Sequence, residues 1–340
     1  TDSTRNFTAI DAEYKVQGTS SSVYPTKNIR LRTKKGKGGP NLEWYDDDGN
    51  DLIIKNGGKG FPITYPGGMG VDYFTFKVDY ASSEGANNVE LTKLYNDASK
   101  AYGLLTPPQR QNDQVRVGID GFPIAAFHKD ANDNVSFCTK ANFNNDKSNP
   151  DVYGFDDGDE SWETTNNSAA ETKYQKPVTA DNFAKGFEIR FPDEDGYGAN
   201  NPETELQKLS AMTAWVYSTY QAEADPNRKL EPAVTLTYTE AVAAEGGDYS
   251  AKEVTKTFEY DTKEYRLAKF KAELADWFNV DSCLFYYLFT ELFLMIDSRA
   301  KNAFPTYFKS RQEGDGGDRW FWIPYDMDTA IGIDNKGKLT

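Results

Sequence analysis

The chain has 340 residues, and 38 Lys and Arg against 53 Asp and Glu give a formal net charge of −15. Such acidity repels phosphate backbones and argues against a general nucleic-acid binder, while 21 Tyr, 21 Phe and 6 Trp supply enough apolar surface for one large or two ordinary domains rather than a disordered chain. No apolar run reaches the roughly 20 residues of a membrane-spanning helix, the single histidine, His128, leaves no His-based dyad, and Cys138 and Cys283 lack metal-ligand spacing and are compatible with one disulfide or two free thiols.

Residues 12–17 and 28–32 alternate polar and apolar side chains and are predicted strands, joined across Gly18-Thr19-Ser20-Ser21-Ser22. The basic, glycine-rich stretch 34–39 reads as a solvated hairpin loop rather than a nucleic-acid patch. Residues 73–78 form a further strand, 90–102 have helical spacing, and 115–119 and 123–127 flank Asp120-Gly121 as a predicted hairpin. The Asn-, Asp- and Ser-rich stretch 130–167 reads as a solvated loop, and its acidic run 155–160 lacks the ligand spacing of an EF-hand. A short strand at 187–191 ends at Pro192. Helices are predicted over 203–223, 261–277 and 281–296, the last apolar nearly all round and so expected to be buried. Residues 231–247 are ambiguous and read as an inserted loop, and 319–324 as a short aromatic strand. Strands come mostly first and helices mostly later, which predicts an α+β chain of two parts. These are a strand-rich 1–192, with an Asn/Asp-rich insertion around 130–180, and a helical 193–340. The start at Thr1 and the end at Thr340 suggest a fragment of a longer polypeptide.

Asp297 and Asn302 stand five positions apart after the third predicted helix. This D-x-x-x-x-N spacing is that of a kinase catalytic loop, where short side chains on a tight turn bring the Asp to the attacking hydroxyl and the Asn to a magnesium ion; an ordinary polar loop after a helix has it too. The strand Trp320-Phe321-Trp322-Ile323-Pro324 leads into Tyr325-Asp326-Met327-Asp328, placing two carboxylates at its tip. Magnesium takes such oxygens and completes its shell from phosphate and water, whereas the bland alternative is a solvated turn. The loop from Gly18 through Ser20 and Ser21 to Lys27 offers N–H groups, hydroxyls and a cation to phosphates, as many polar hairpins do. Lys77 lies in a strand opposite its apolar neighbours, where lysines are usually surface residues and where a kinase-like lobe presents one to the α/β-phosphates. A glycosidase would need two carboxyls roughly 5–10 Å apart across a bond, and no such pair is legible.

Taken in order, these segments resemble the spore-coat CotH family of atypical kinases. Residues 17–28 are similar to the family's R-G-x-S-S…P-K-K-S-Y segment, 74–88 to L-K-A-D…S…R-N, 115–127 to its N-G strand pair, and Asp297…Asn302 to n-x-D…N. The most specific match is Ile323-Pro324-Tyr325-Asp326-Met327-Asp328-Thr329-Ala330-Ile331-Gly332 to I-P-W-D-x-D-x-A-x-G. The resemblance implies a two-lobed, protein-kinase-like α+β fold that binds ATP and Mg²⁺. It implies Asp297 at the catalytic acid/base position, Asn302, Asp326 and Asp328 toward the metal, and Gly18, Ser20, Ser21, Lys27 and Lys77 toward the nucleotide. Gln17, Thr26 and Asn87 replace cationic residues of the family pattern where phosphates bind, and Arg299 and Lys301 crowd the catalytic loop, which points to a retained fold with little turnover. Segments 143–148, 161–167 and 187–192 are similar to CotH-like regions of large virion proteins of tailed bacteriophages. That similarity implies a domain of a virion tail protein, located in the phage particle, with other protein subunits as partners. An active Ser/Thr kinase acting on a surface or coat protein, outside the cell or at a spore or cell surface, is the alternative.

Overall fold

The computed structural model describes residues 8–9, 13–18, 24–32, 44–45, 61–62, 70–71, 73–80, 87–146, 150–164, 177–179, 181–182, 186–192, 207–220, 233–243, 247–295, 297–299, 301–334 and 338. Its strands are β1 (Thr8–Ala9), β2 (Glu13–Gln17), β3 (Asn28–Arg32), β4 (Trp44–Tyr45), β5 (Phe61–Pro62), β6 (Gly70–Val71), β7 (Tyr73–Lys77), β8 (Gly121–Lys129), β9 (Val135–Asn145), β10 (Glu160–Thr164), β11 (Phe187–Phe191), β12 (Val234–Ala243), β13 (Tyr249–Phe258), β14 (Ala303–Phe308) and β15 (Arg319–Pro324). The helices are α1 (Asn87–Ala101), α2 (Pro107–Gln111), α3 (Pro150–Tyr153), α4 (Gln207–Thr219), α5 (Lys263–Trp277) and α6 (Val280–Leu292). The chain is thus α+β, with an antiparallel five-stranded sheet in the order β2-β3-β7-β9-β8 and an antiparallel four-stranded sheet in the order β11-β10-β14-β15. No helix is long and apolar enough to cross a membrane among the described residues. The two cysteines are free.

The second sheet takes two strands from each side of residue 192, so that position does not separate two sheets. One apolar core likewise draws Phe74 of β7, Tyr95 of α1, Phe143 of β9, Phe289 of α6, Phe304 of β14 and Phe321 of β15 into contact. Each such aromatic contributes about 1.5–3 kcal/mol by leaving water, and Phe74 stacks on Phe143 with ring centroids 5.0 Å apart. A second core joins Trp162, Phe187, Leu209 and Trp320.

Several expectations need correction. The hairpin does not turn at Asp120-Gly121: β8 begins there, and the turn lies at 130–134, where Asp130 Oδ1 accepts from Asn132 N at 2.8 Å and Asn134 N at 2.9 Å. Gly121 is glycine for another reason, since a Cβ there would sit 2.3 Å from the Phe143 carbonyl oxygen across the ladder. The stretch 130–167 is not a solvated loop, because it supplies β9 and β10. The β9 asparagines Asn142, Asn144 and Asn145 are buried, Asn145 Oδ1 accepting from Asp120 N at 2.6 Å. Residues 231–247 hold β12, whose Thr-apolar alternation pairs with β13 as an exposed hairpin. The apolar helix α6 is not buried all round: Tyr286 and Phe289 face the core, whereas Leu284, Leu288 and Leu292 are exposed, the last at 75%. Ser20, Ser21, the basic stretch 34–39 and the predicted helix start at 203–206 lie outside the described residues.

Candidate active site

The β14–β15 ladder explains how two distant motifs meet. Ala303 pairs with Pro324, so the residue before β14 and the residues after β15 lie side by side. Asn302 O accepts from Tyr325 N at 3.1 Å and from Asp326 N at 3.2 Å, and Ser298 Oγ donates to Asp326 O at 3.0 Å. Asn302 takes the left-handed φ of 60°, which Asn tolerates better than most residues, and its Nδ2 donates to Asp297 Oδ2 at 3.0 Å. Asp297 is buried. Segments 297–302 and 325–328 therefore brace one another through backbone and short side chains.

Two further elements close on this pair. Lys77 ends β7, in register with Asn142 of β9. Val78 N donates to Asn28 Oδ1 at 2.8 Å, fixing the end of β7 to the start of β3. Lys77 is only 9% exposed, contrary to the usual surface placement of a strand lysine. Its Nζ pairs with Asp326, lies 3.4 Å from Asp328 Oδ2 and 3.9 Å from Asp79 Oδ1. At the N-terminus of α1, Asn88 is fully buried; its Nδ2 donates to Asp326 Oδ1 at 2.5 Å and its Oδ1 accepts from Met327 N at 3.1 Å. Asn88 thus holds the acid-bearing turn by side chain and backbone together.

Asp79 and Asn88 were not among the residues singled out for chemistry from the sequence. The signal for Asp79 was its place two residues after Lys77, and for Asn88 its place just before the predicted helix at 90–102, neither of which reveals a partner some 240 positions away. Asp79 is 3% exposed with φ 42°; Asn142 Nδ2 donates to its Oδ2 at 2.9 Å, and its Oδ1 has no hydrogen-bond partner among the described residues.

The charges are out of balance, with one ammonium against several carboxylates. Burial alone would push the Lys77 ammonium down, but Asp326, Asp328 and Asp79 outweigh it and hold it well above the ordinary lysine range. Burial pushes the Asp79 carboxyl up to about 8 against the pull of Lys77, with Asp328 and Asp326 adding to the rise. Burial, with Asp326 and then Asp297 as like charges, pushes Asp328 up to about 6, again against Lys77. The early hairpin reaches this field too: the Tyr24 hydroxyl is raised by burial and next by Asp328, and its ring stacks on Tyr80 with centroids 4.8 Å apart.

Lys77, Asp297, Asn302, Asp326 and Asp328 are therefore brought together. Lys27 is not: it is exposed and donates to Tyr24 O at 2.6 Å within its own turn. Gly18 closes β2 with φ 112° and is exposed. No group of three His, Cys, Asp or Glu side chains forms a ready cation cage among the described residues. Asp326, Asp328 and Asn302 carry carboxylate and amide oxygens, the donor types magnesium accepts beside phosphate oxygens.

Residues 199–340 match the family model described as CotH kinase protein. The matched stretch contains Asp297, Asn302, Asp326 and Asp328, while Lys77, Asp79 and Asn88 precede it. No curated protein matches the chain.

Proposed function

We propose that the CotH kinase-type stretch 199–340 and the β7–α1 residues packed on it form a site for ATP with a divalent cation, in a two-lobed, kinase-like arrangement. The observation that carries this reading is the convergence of Lys77 on Asp326 and Asp328, acids about 250 positions away that are otherwise unfavourable to bury together. Asp326, Asp328 and Asn302 would hold a magnesium ion, whose chemistry is to neutralise charge on phosphate oxygens. Lys77 would face the α/β-phosphates. Asp297, oriented by Asn302 at 3.0 Å, would receive the proton of a substrate hydroxyl as that oxygen bonds to the γ-phosphorus and ADP leaves with the bonding pair. Catalysis of this kind is mainly positioning and charge stabilisation.

The test is a titration of the full chain with ATP, with and without Mg²⁺, read by heat and by melting temperature. Binding that needs both components supports the site; no heat and no shift at millimolar nucleotide removes it. Where transfer of labelled phosphate to a protein is detected, Asp297→Ala abolishes it while ATP–Mg²⁺ binding persists.

A second reading, a structural domain of a phage tail or surface assembly with little turnover, draws on a different observation. Leu284, Leu288 and Leu292 expose an apolar row on α6, and apolar patches of this kind mark contact surfaces. Intact ATP–Mg²⁺ binding with no phosphate transfer to any offered protein favours this reading.

A further inference from the structure

Lys77 stands where the reading above would put a divalent cation. Its Nζ pairs with Asp326 and lies 3.4 Å from Asp328, the two proposed ligands, and 3.9 Å from Asp79, a buried acid. Asn88 holds Asp326 from the other side through the same Oδ1 that Lys77 uses. Acids crowded this closely repel one another when ionised, and a single ammonium on a flexible stem is the group that offsets them. An ammonium and a divalent cation cannot share one oxygen cluster without losing much of what each gains there.

We propose that Lys77 is a resident counter-cation of this cluster: it neutralises Asp326, Asp328 and Asp79 in the ligand-free chain, and a divalent cation enters only as the ammonium withdraws from Asp326 and Asp328. The nucleotide is then the natural trigger, because its phosphates offer Lys77 a new anionic partner. Metal alone binds weakly; metal and nucleotide bind with positive coupling, each raising the other's affinity by the same factor. This inference rests on Asp326 and Asp328 being cation ligands.

The experiment measures Mn²⁺ binding to the full chain by the loss of the free-ion electron paramagnetic resonance signal, without nucleotide. Lys77→Met is expected to bind Mn²⁺ about tenfold more tightly than the wild type, and Lys77→Arg, which keeps the charge, to stay near the wild type. The gain disappears in Lys77→Met/Asp328→Asn, which locates it in the cluster. Should Lys77→Met fail to fold without metal, Lys77→Met/Asp79→Asn removes one of the repelling charges, and its melting temperature with and without Mn²⁺ carries the same comparison. Equal affinity in wild type and Lys77→Met overturns the counter-cation role and leaves the cation site standing. A gain that survives Asp328→Asn overturns it as well. No Mn²⁺ bound by any variant, with no ATP–Mg²⁺ binding by the wild type, overturns the underlying site and the inference with it.

Discussion

Asp159 is a buried and Asp328 a half-buried carboxylate beside the sheet β11-β10-β14-β15, and desolvation pushes both carboxyls up. Their partners differ. Asp159, just before β10, accepts from Asp156 N and Lys309 N at 2.9 Å each and pairs with Arg311, which fastens the start of β10 to the end of β14. Arg30 with Asp146 follows the same plan of one guanidinium for one buried acid, while Arg190 serves the buried Glu163 and the exposed Glu188. At Lys77 one ammonium serves Asp326, Asp328 and Asp79. A balanced pair with its hydrogen bonds satisfied is a fastening, whereas a surplus of one sign costs stability and persists where a charged ligand is to be received.

The comparison predicts opposite signs for similar substitutions. The largest effect is at the balanced pair: Asp159→Ala leaves the Arg311 guanidinium buried without its acid and is expected to lower stability by about 3–5 kcal/mol in urea unfolding. Next is Asn88→Ala, which removes the donor to Asp326 and the acceptor for Met327 N. A loss of about 1–3 kcal/mol is expected, together with loss of the ATP–Mg²⁺ melting shift, since the turn carrying both acids is no longer held. Smaller, and of the other sign, is Asp79→Asn. It keeps an oxygen for Asn142 Nδ2 and stays neutral without taking up a proton at neutral pH, so the ligand-free chain is expected to gain about 0.5–2 kcal/mol. If Asp79→Asn and Asp159→Ala destabilise alike, the distinction between fastening and site is wrong.

The same contrast shows what could be read from sequence. β3, β11 and β15 fall where local patterning placed them, because strand periodicity is a local signal. Asp297 and Asn302, and Asp326 and Asp328, were legible for the same reason: each pair sits within six residues. The burial of Lys77 was not, since its partners arrive from the far end of the chain and strand alternation gives only a face, not what covers it. The β8–β9 hairpin was misplaced because Asp120-Gly121 looks like a turn, while the glycine serves a close approach to Phe143. The exposure of α6 was missed because an all-apolar helix implies burial only when neighbours exist for every face.

Glu160 is a buried acid held by hydrogen bonds, with Lys208 near enough to pull on its charge but no ion pair among the described residues. Glu160 opens β10 and is 5% exposed; its Oε1 accepts from Trp162 Nε1 at 2.8 Å and from Leu209 N at 3.0 Å. Burial outweighs those bonds and pushes its carboxyl up to about 7 from 4.5. The folded chain therefore binds this proton more tightly than the unfolded chain between those two values. Its stabilising share is complete below 4.5 and is lost as pH rises through about 7. Glu160→Gln keeps an oxygen for both donors and cannot ionise. Across that window the wild type is expected to lose roughly 3 kcal/mol relative to the variant, read as the difference between their melting temperatures at each pH, so that the titration of Asp79 and Asp328 cancels. Parallel profiles for the two proteins would mean that Trp162 and Leu209 satisfy the carboxylate as fully as Arg311 satisfies Asp159, and that hydrogen bonds without a countercharge suffice at this depth.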